Sequence, residues 1–191
     1  MGYSEKVLEY KDSFEGLTQT VKFVDSLFDS KYYPNSKENS TFKPPFFPGQ
    51  IYSFSYKTIS KLSDERKFIN RNPVVLCTDS FNNKEGLILK GIDLITVPPN
   101  FRLEILKRIY DEFLKDLTSG GIPLPLNDRN LSSFLSGTGY QQSLFGFKTS
   151  FFGDVYTVSI EDWPKLPYLS KSFIEGSTLQ SIYTEYKTKL I

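Results

Sequence analysis

The chain has 191 residues, 39 % hydrophobic and 16 % aromatic, and its 23 Lys and Arg against 22 Asp and Glu leave a net charge of +1. This balance gives no bulk attraction to nucleic acid or an anionic membrane. The chain has no His and one Cys, which excludes Ser-His-Asp catalysis, His-based metal sites and an intrachain disulfide. We expect no cofactor, no signal peptide and no membrane partner, since no apolar run approaches the roughly 20 residues of a membrane span.

Residues 1–30 are predicted to form a helical arm of one or two helices, with Gly16 as the candidate break. Val7 and Leu8 are expected on one side of the first helix. Further apolar residues recur at spacings of three and four, as on the buried face of a helix: Leu17, Val21, Val24, Leu27 and Phe28.

Residues 31–47 are predicted to be an extended linker, because they are polar and then rich in Pro and Phe, without a period. Three large rings, Phe42, Phe46 and Phe47, lie near its end. Leaving them in water is costly, and aromatic residues are enriched at the centre of interfaces. We therefore predict that they contact other chains; the alternative is a loop packed over the domain's own core.

Residues 48–191 are predicted to form a single α+β domain, organised around a small curled antiparallel sheet or SH3-like barrel at about 48–99. Aromatic residues alternate with small ones in Ile51–Tyr56, which is typical of a half-buried strand. Val74–Cys77 is an apolar run typical of a strand covered on both faces. A third strand is expected from Leu87 to Val97, with a bulge at Gly91.

The connections around this sheet are predicted from turn and cap residues. Phe81–Gly86 has turn chemistry. Pro98-Pro99 ends the sheet and Asn100 is the candidate N-cap of a helix reaching Leu117, whose apolar face covers the sheet.

The C-terminal half of the domain is predicted from shorter signals. Residues 137–148 are expected to be a loop and Val155–Ile160 a strand. Trp163 is expected to anchor a core or an interface. Trp163 and Tyr52 on the first strand are the two further candidates for contact with other chains. Ser177 is expected to cap a last helix.

A mixed-charge connector at residues 57–72 is the best candidate for contact with a charged surface, although such segments are most often solvated loops. Its basic residues are the possible nucleic-acid contacts, through phosphate neutralisation: Lys57, Lys61, Arg66, Lys67 and Arg71.

The chain is predicted not to be an enzyme. Cys77 lies in an apolar run with no His to activate it, and acid pairs such as Asp111-Glu112 are adjacent and point apart. One enzyme resemblance exists: Pro48–Tyr52 followed by Arg71–Leu76 resembles two blocks of the MazF-like toxin endoribonucleases. That resemblance implies an SH3-like barrel with Arg71 as the catalytic residue. The family's catalytic Arg directly precedes the Pro of the second block, whereas Arg71 lies one residue earlier.

A second resemblance covers more of the chain, roughly residues 48–170. The order of motifs is similar to that of small tailed-phage virion proteins of the DNA end protector or head-completion family. The corresponding blocks are Gly49–Tyr56, Pro73–Leu76, Gly91–Leu94, Val97–Arg102 with its Pro-Pro-x-x-Arg, and Ser159–Trp163 followed by Leu166-Pro167. Arg71-Asn72 replaces the family's aromatic-Asp dipeptide, and a basic His-Val-Arg-Ser segment is missing.

This resemblance implies a structural virion protein made in the host cytoplasm. The Phe-, Tyr-, Asn- and Lys-rich composition is similar to that of crAss-like phages, which implies a neck or tail ring component at the head–tail junction. The implied partners are portal, neck or tail proteins, further copies in a homo-oligomeric ring, and packaged DNA. The alternative within the family is a DNA-end-binding head-completion protein.

Overall fold

The computed structural model describes residues 2–13, 15–16, 18–19, 22–23, 46–56, 69–70, 72–114, 135, 140–169 and 174–175. The strands of these ranges are β1 (Ile51–Tyr56), β2 (Ile69–Asn70), β3 (Val74–Asn83), β4 (Gly86–Asp93), β5 (Leu144–Lys148), β6 (Phe152–Thr157) and β7 (Ile174–Glu175). The α-helices are α1 (Tyr3–Asp12) and α2 (Pro99–Ile109), and residues 15–16, 18–19 and 22–23 are α-helical as well. The prediction of a helix break at Gly16 was wrong, because Gly16 is helical and α1 ends at the extended residue Ser13. Tyr110–Leu114 is a π-helix, and Tyr140–Ser143, Thr149–Phe151 and Ile160–Tyr168 are 3₁₀ helices. The predicted α+β class is confirmed.

Five strands form one antiparallel sheet in the order β5-β4-β3-β1-β6, and β2 pairs with β7 apart from it. The alternation in β1 and the apolar run in β3 predicted these two central strands correctly. The prediction of a loop at 137–148 was wrong, because Leu144–Lys148 is the edge strand β5. Gly146 interrupts its alternation, and only its pairing with β4 makes it a strand.

Both faces of the sheet are buried, each in its own core. We call the first the helix-side core; from the sheet it takes Ile51, Val74, Leu76 and Ile92, and from elsewhere Tyr3, Val7, Ile105, Leu106, Ile109, Trp163, Leu166 and others. We call the second the aromatic core; it consists of Phe46, Tyr52, Phe54, Val75, Cys77, Leu89, Phe147 and Val155. Neighbouring residues of β1 and β3 enter opposite cores because successive strand side chains point to opposite faces.

The β3–β4 hairpin departs from the prediction at three points. The strand β3 continues to Asn83, so the turn is only Lys84-Glu85 before Gly86, whose φ of 109° suits glycine. The register shift lies on β3 between Cys77 and Asp79, opposite Gly91 rather than within β4. The strand β4 ends at Asp93 instead of Val97.

An Asx-type turn explains the early end of β4. The carboxylate of Asp93 accepts a hydrogen bond from the Ile95 N–H at 3.2 Å, and its carbonyl accepts one from the Thr96 N–H at 3.1 Å. These local bonds replace the sheet ladder. The chain then turns into α2, which begins at Pro99.

Two predictions about helix positions were also wrong. Asn100 is not the N-cap, because Pro98 takes that position and Pro99 is the first helical residue, where the missing N–H costs no hydrogen bond. Leu8 is exposed, whereas Val7 is buried beside Tyr3. The α-helical part of α2 ends at Ile109, and residues 115–117 lie outside the described residues, as does the helix predicted after Ser177. The predicted strand at 155–160 corresponds to the end of β6, and a 3₁₀ helix starts at Ile160.

Candidate functional site

The most unusual side chain in the described residues is Arg102, a cation with no exposed surface in the helix-side core. Its guanidinium donates hydrogen bonds to main-chain carbonyl groups from two separate parts of the chain. Through Nη1 it reaches Leu166 O (3.2 Å), Pro167 O (3.2 Å) and Leu169 O (2.8 Å), and through Nη2 Val97 O (2.9 Å) and Ile95 O (3.5 Å). We call this arrangement the arginine hub.

Local sequence explains both halves of the arginine hub. The Pro98-Pro99 start places Arg102 in the first turn of α2, where its own N–H donates to Pro98 O at 2.8 Å. The 3₁₀ helix Ile160–Tyr168 contains Pro164 and Pro167, and the last carbonyls of a helix lack a full set of intrahelical partners. Here the Leu166 carbonyl accepts the Leu169 N–H at 3.1 Å and also accepts from Arg102. A cation is also favoured there by the helix dipole. The arginine hub therefore supplies hydrogen-bond donors to main-chain carbonyl groups that the fold buries.

A second set of bonds ties α1 to the same 3₁₀ helix. The Tyr3 hydroxyl donates to the Trp163 carbonyl at 2.8 Å, and the Tyr168 hydroxyl donates to the Val7 carbonyl at 3.1 Å. Burial raises the pKa of Tyr3 far above its ordinary value, so this hydroxyl stays a donor. The described part of α1 thus packs on the chain's own core.

The structure divides the five predicted interface rings. Phe46 and Tyr52 lie in the aromatic core, with ring centroids 5.0 Å apart, and Trp163 lies in the helix-side core. The interface prediction is withdrawn for these three, because their side chains are buried within this chain. Phe47 is 52 % exposed. Phe42 lies outside the described residues.

The aromatic core has its own polar anchor. The Tyr52 hydroxyl accepts a hydrogen bond from the Phe47 N–H at 3.0 Å and donates one to Gln50 Oε1 at 2.6 Å. The Ser80 hydroxyl donates to the Phe46 carbonyl at 3.1 Å. These bonds hold Phe46 inside while the next ring, Phe47, faces outward.

Sequence reasoning missed three exposed apolar side chains. Leu8 is 51 % exposed, Phe81 42 % and Ile160 38 %. The sequence predicts a turn from Phe81 to Gly86, and only the pairing of Phe81 with Ile88 shows that Phe81 is on a strand.

Three observations concern the chemistry of the described residues. Burial raises the pKa of the Cys77 thiol to about 12, so it is protonated at neutral pH. Among the described residues no group of His, Cys, Asp or Glu could hold a metal ion, and no described helix is long and apolar enough to cross a membrane. The basic candidates Lys57, Lys61, Arg66, Lys67 and Arg71 all fall outside the described residues.

Comparison with protein-family models, with curated proteins and with solved structures finds no match to this chain.

Proposed function

We propose that this chain is a non-catalytic structural protein of a tailed-phage virion, a neck or tail connector or ring component at the head–tail junction. The observation that carries the proposal is the arginine hub. Arg102 ends the Pro-Pro-x-x-Arg block, and it binds the carbonyls of the Leu166-Pro167 block, 64 and 65 residues away. Two blocks that define the resemblance thus form one structural unit, which favours a shared fold over a chance match.

We also propose that the sheet closes on itself as an SH3-like barrel, with α2 over its outer face. The edge strands β5 and β6 are joined by only the three residues Thr149–Phe151. That connection spans at most about 14 Å, whereas the edges of a flat five-stranded sheet are about 19 Å apart. Closure also explains why Phe54 of β1 lies 5.4 Å from Phe147 of β5, although two strands separate them in the sheet order.

A barrel with both faces of its sheet buried is suited to a mechanical role. Among the described residues, a few large apolar side chains, including Phe47 and Phe81, are exposed at its surface. Such a body can tile around a symmetry axis, seal the portal, join head to tail or shape the channel for packaged DNA. The partners would be portal, neck or tail proteins and further copies of this chain.

The test is the assembly state of the purified full chain. We expect sedimentation velocity to show concentration-dependent formation of one closed oligomer, and negative-stain images to show a ring. A chain that stays monomeric at the highest attainable concentration would contradict the ring. If that monomer bound DNA ends in a salt-dependent manner, the DNA-end-binding function would replace the ring proposal. If the chain cleaved RNA and Arg71→Ala abolished the cleavage, the endoribonuclease function would replace it.

A further inference from the structure

The β3–β4 hairpin extends beyond the body of the sheet. The neighbours of these two strands stop early: β1 pairs with β3 only as far as Leu76, and β5 pairs with β4 only from Ile88. Residues 81–86 are all exposed. We call residues 80–87 the ribbon, and its apolar side chain at the surface is Phe81.

The charge at the end of the ribbon is positive. Of the two turn residues, Glu85 forms an ion pair with Lys148 at 2.6 Å, and the ammonium group of Lys148 offsets the negative charge of Glu85. Lys84 is exposed beside it. The ribbon therefore presents one aromatic ring and one ammonium group to a partner.

The outward side of α1 has the complementary character. Four exposed residues at positions i, i+3, i+4 and i+7 form one stripe along the helix: Glu5, Leu8, Glu9 and Asp12. Three are carboxylates, and they surround a leucine that is half exposed. We call this stripe the α1 outer face.

The ribbon lies away from the helix-side core, to which Tyr3 and Val7 of α1 belong. That core takes no residue of β3 beyond Leu76. Phe81 is five residues further along β3, about 16 Å at the rise of an extended strand. A contact between the ribbon and an α1 outer face is therefore one between two molecules.

We propose that the ribbon of one copy docks on the α1 outer face of the next, with Phe81 against Leu8 and Lys84 toward Glu5, Glu9 and Asp12. The inference rests on the proposed function and names the contact that builds the ring. It joins unlike surfaces, so repetition gives a closed ring or a filament rather than an isolated dimer. The matched apolar side chains supply affinity, and the opposite charges fix which surfaces meet.

Complementary blocked variants test this contact directly. Phe81→Asp disables the ribbon and Leu8→Asp disables the α1 outer face, so each variant alone is expected to remain monomeric. Mixed in equal amounts they retain one intact pair of surfaces and are expected to form a 1:1 dimer and nothing larger, measured by sedimentation velocity. The control is Ile160→Asp, which alters an exposed apolar residue outside both surfaces and is expected to assemble like the unmodified chain.

Exchanging the charges of the two surfaces tests the same contact at exposed polar positions, where we expect no effect on folding. Lys84→Glu and Glu9→Lys are each expected to weaken self-association about tenfold, and the double variant to recover most of that loss. If the unmodified chain assembles and these variants do so equally well, the contact is overturned while the ring stands. If the unmodified chain does not self-associate, both the contact and the ring are overturned.

Discussion

The helix-side core and the aromatic core occupy opposite faces of the same sheet, yet they are assembled differently. The aromatic core draws on the five strands and the segment just before β1, and it is filled by packed rings such as Phe54, which stacks on Phe152 at 4.0 Å. The helix-side core also joins segments remote in sequence, such as Tyr3 and Trp163, 160 residues apart. At its centre lies the charged Arg102.

Because of this difference, we expect the two faces of the sheet to tolerate substitutions differently. A core of rings loses stability in proportion to the volume removed, because dispersion and apolar burial are spread over many contacts. The helix-side core depends in addition on one residue, because several buried carbonyls share a single donor group.

Replacing Arg102 with Met should lower the unfolding free energy by about 4–5 kcal/mol, because the buried carbonyl groups lose their hydrogen-bond donor. Urea unfolding followed by circular dichroism measures it. Arg108→Met on the same helix is the control: its side chain is 36 % exposed and pairs with Glu104 at 2.8 Å, so we expect less than about 1 kcal/mol. Equal small losses would show that the hub is not central to stability.

Replacing Phe54 with Ala should cost about 3 kcal/mol, because the cavity removes contacts with both Phe152 and Phe147. Phe81→Ala, also in a strand but exposed, should change the free energy by less than about 0.5 kcal/mol. The same urea experiment compares them. A cost for Phe54→Ala above that of Arg102→Met would reverse the contrast between the cores.

Replacing Gly91 with Ala should cost about 1–3 kcal/mol through overpacking. A Cβ there would lie 2.4 Å from both the Leu76 carbonyl oxygen and Val75 Cγ1, so the shared sheet must shift. Gly146→Ala is the matched control, since its Cβ would lie 3.4 Å from Ile88 Cγ2, and we expect a change within about 0.5 kcal/mol. Thermal unfolding of both variants decides whether the close approach matters.

Raising the pH from 9 to 12 should lower stability gradually. Burial raises the pKa of Cys77 to about 12 and that of Tyr52 to about 12, and it raises the pKa of Tyr3 further. The unfolded chain then releases these protons at lower pH than the folded chain, so the unfolding free energy falls as pH rises. Cys77→Ala should make the fall shallower between pH 9 and 10; urea midpoints that stay level across this range would contradict the burial of these groups.

The sequence predicted some elements well and others poorly, for identifiable reasons. The alternation in β1 and the apolar run in β3 are strong local signals, and both strands are where they were expected. The strand β5 was missed because Gly146 interrupts a five-residue pattern. Phe81 was assigned to a turn because the asparagines after it suit turns equally well.

The candidate site was less predictable than the fold. Arg102 belonged to a recognisable block, but its burial depends on carbonyls 64 to 67 residues away, which no local pattern reveals. Phe46 and Phe47 are adjacent and chemically identical, yet one is buried and the other exposed. Their roles are set by the Tyr52 hydroxyl and the Ser80 side chain.

The α+β class and the central strands follow from the sequence alone, because they depend on composition and on periods of two to four residues. Only the tertiary structure decided which rings are buried, where the ribbon projects and what surrounds Arg102. The physical reason is that burial and buried hydrogen bonds depend on segments that meet only in the folded chain.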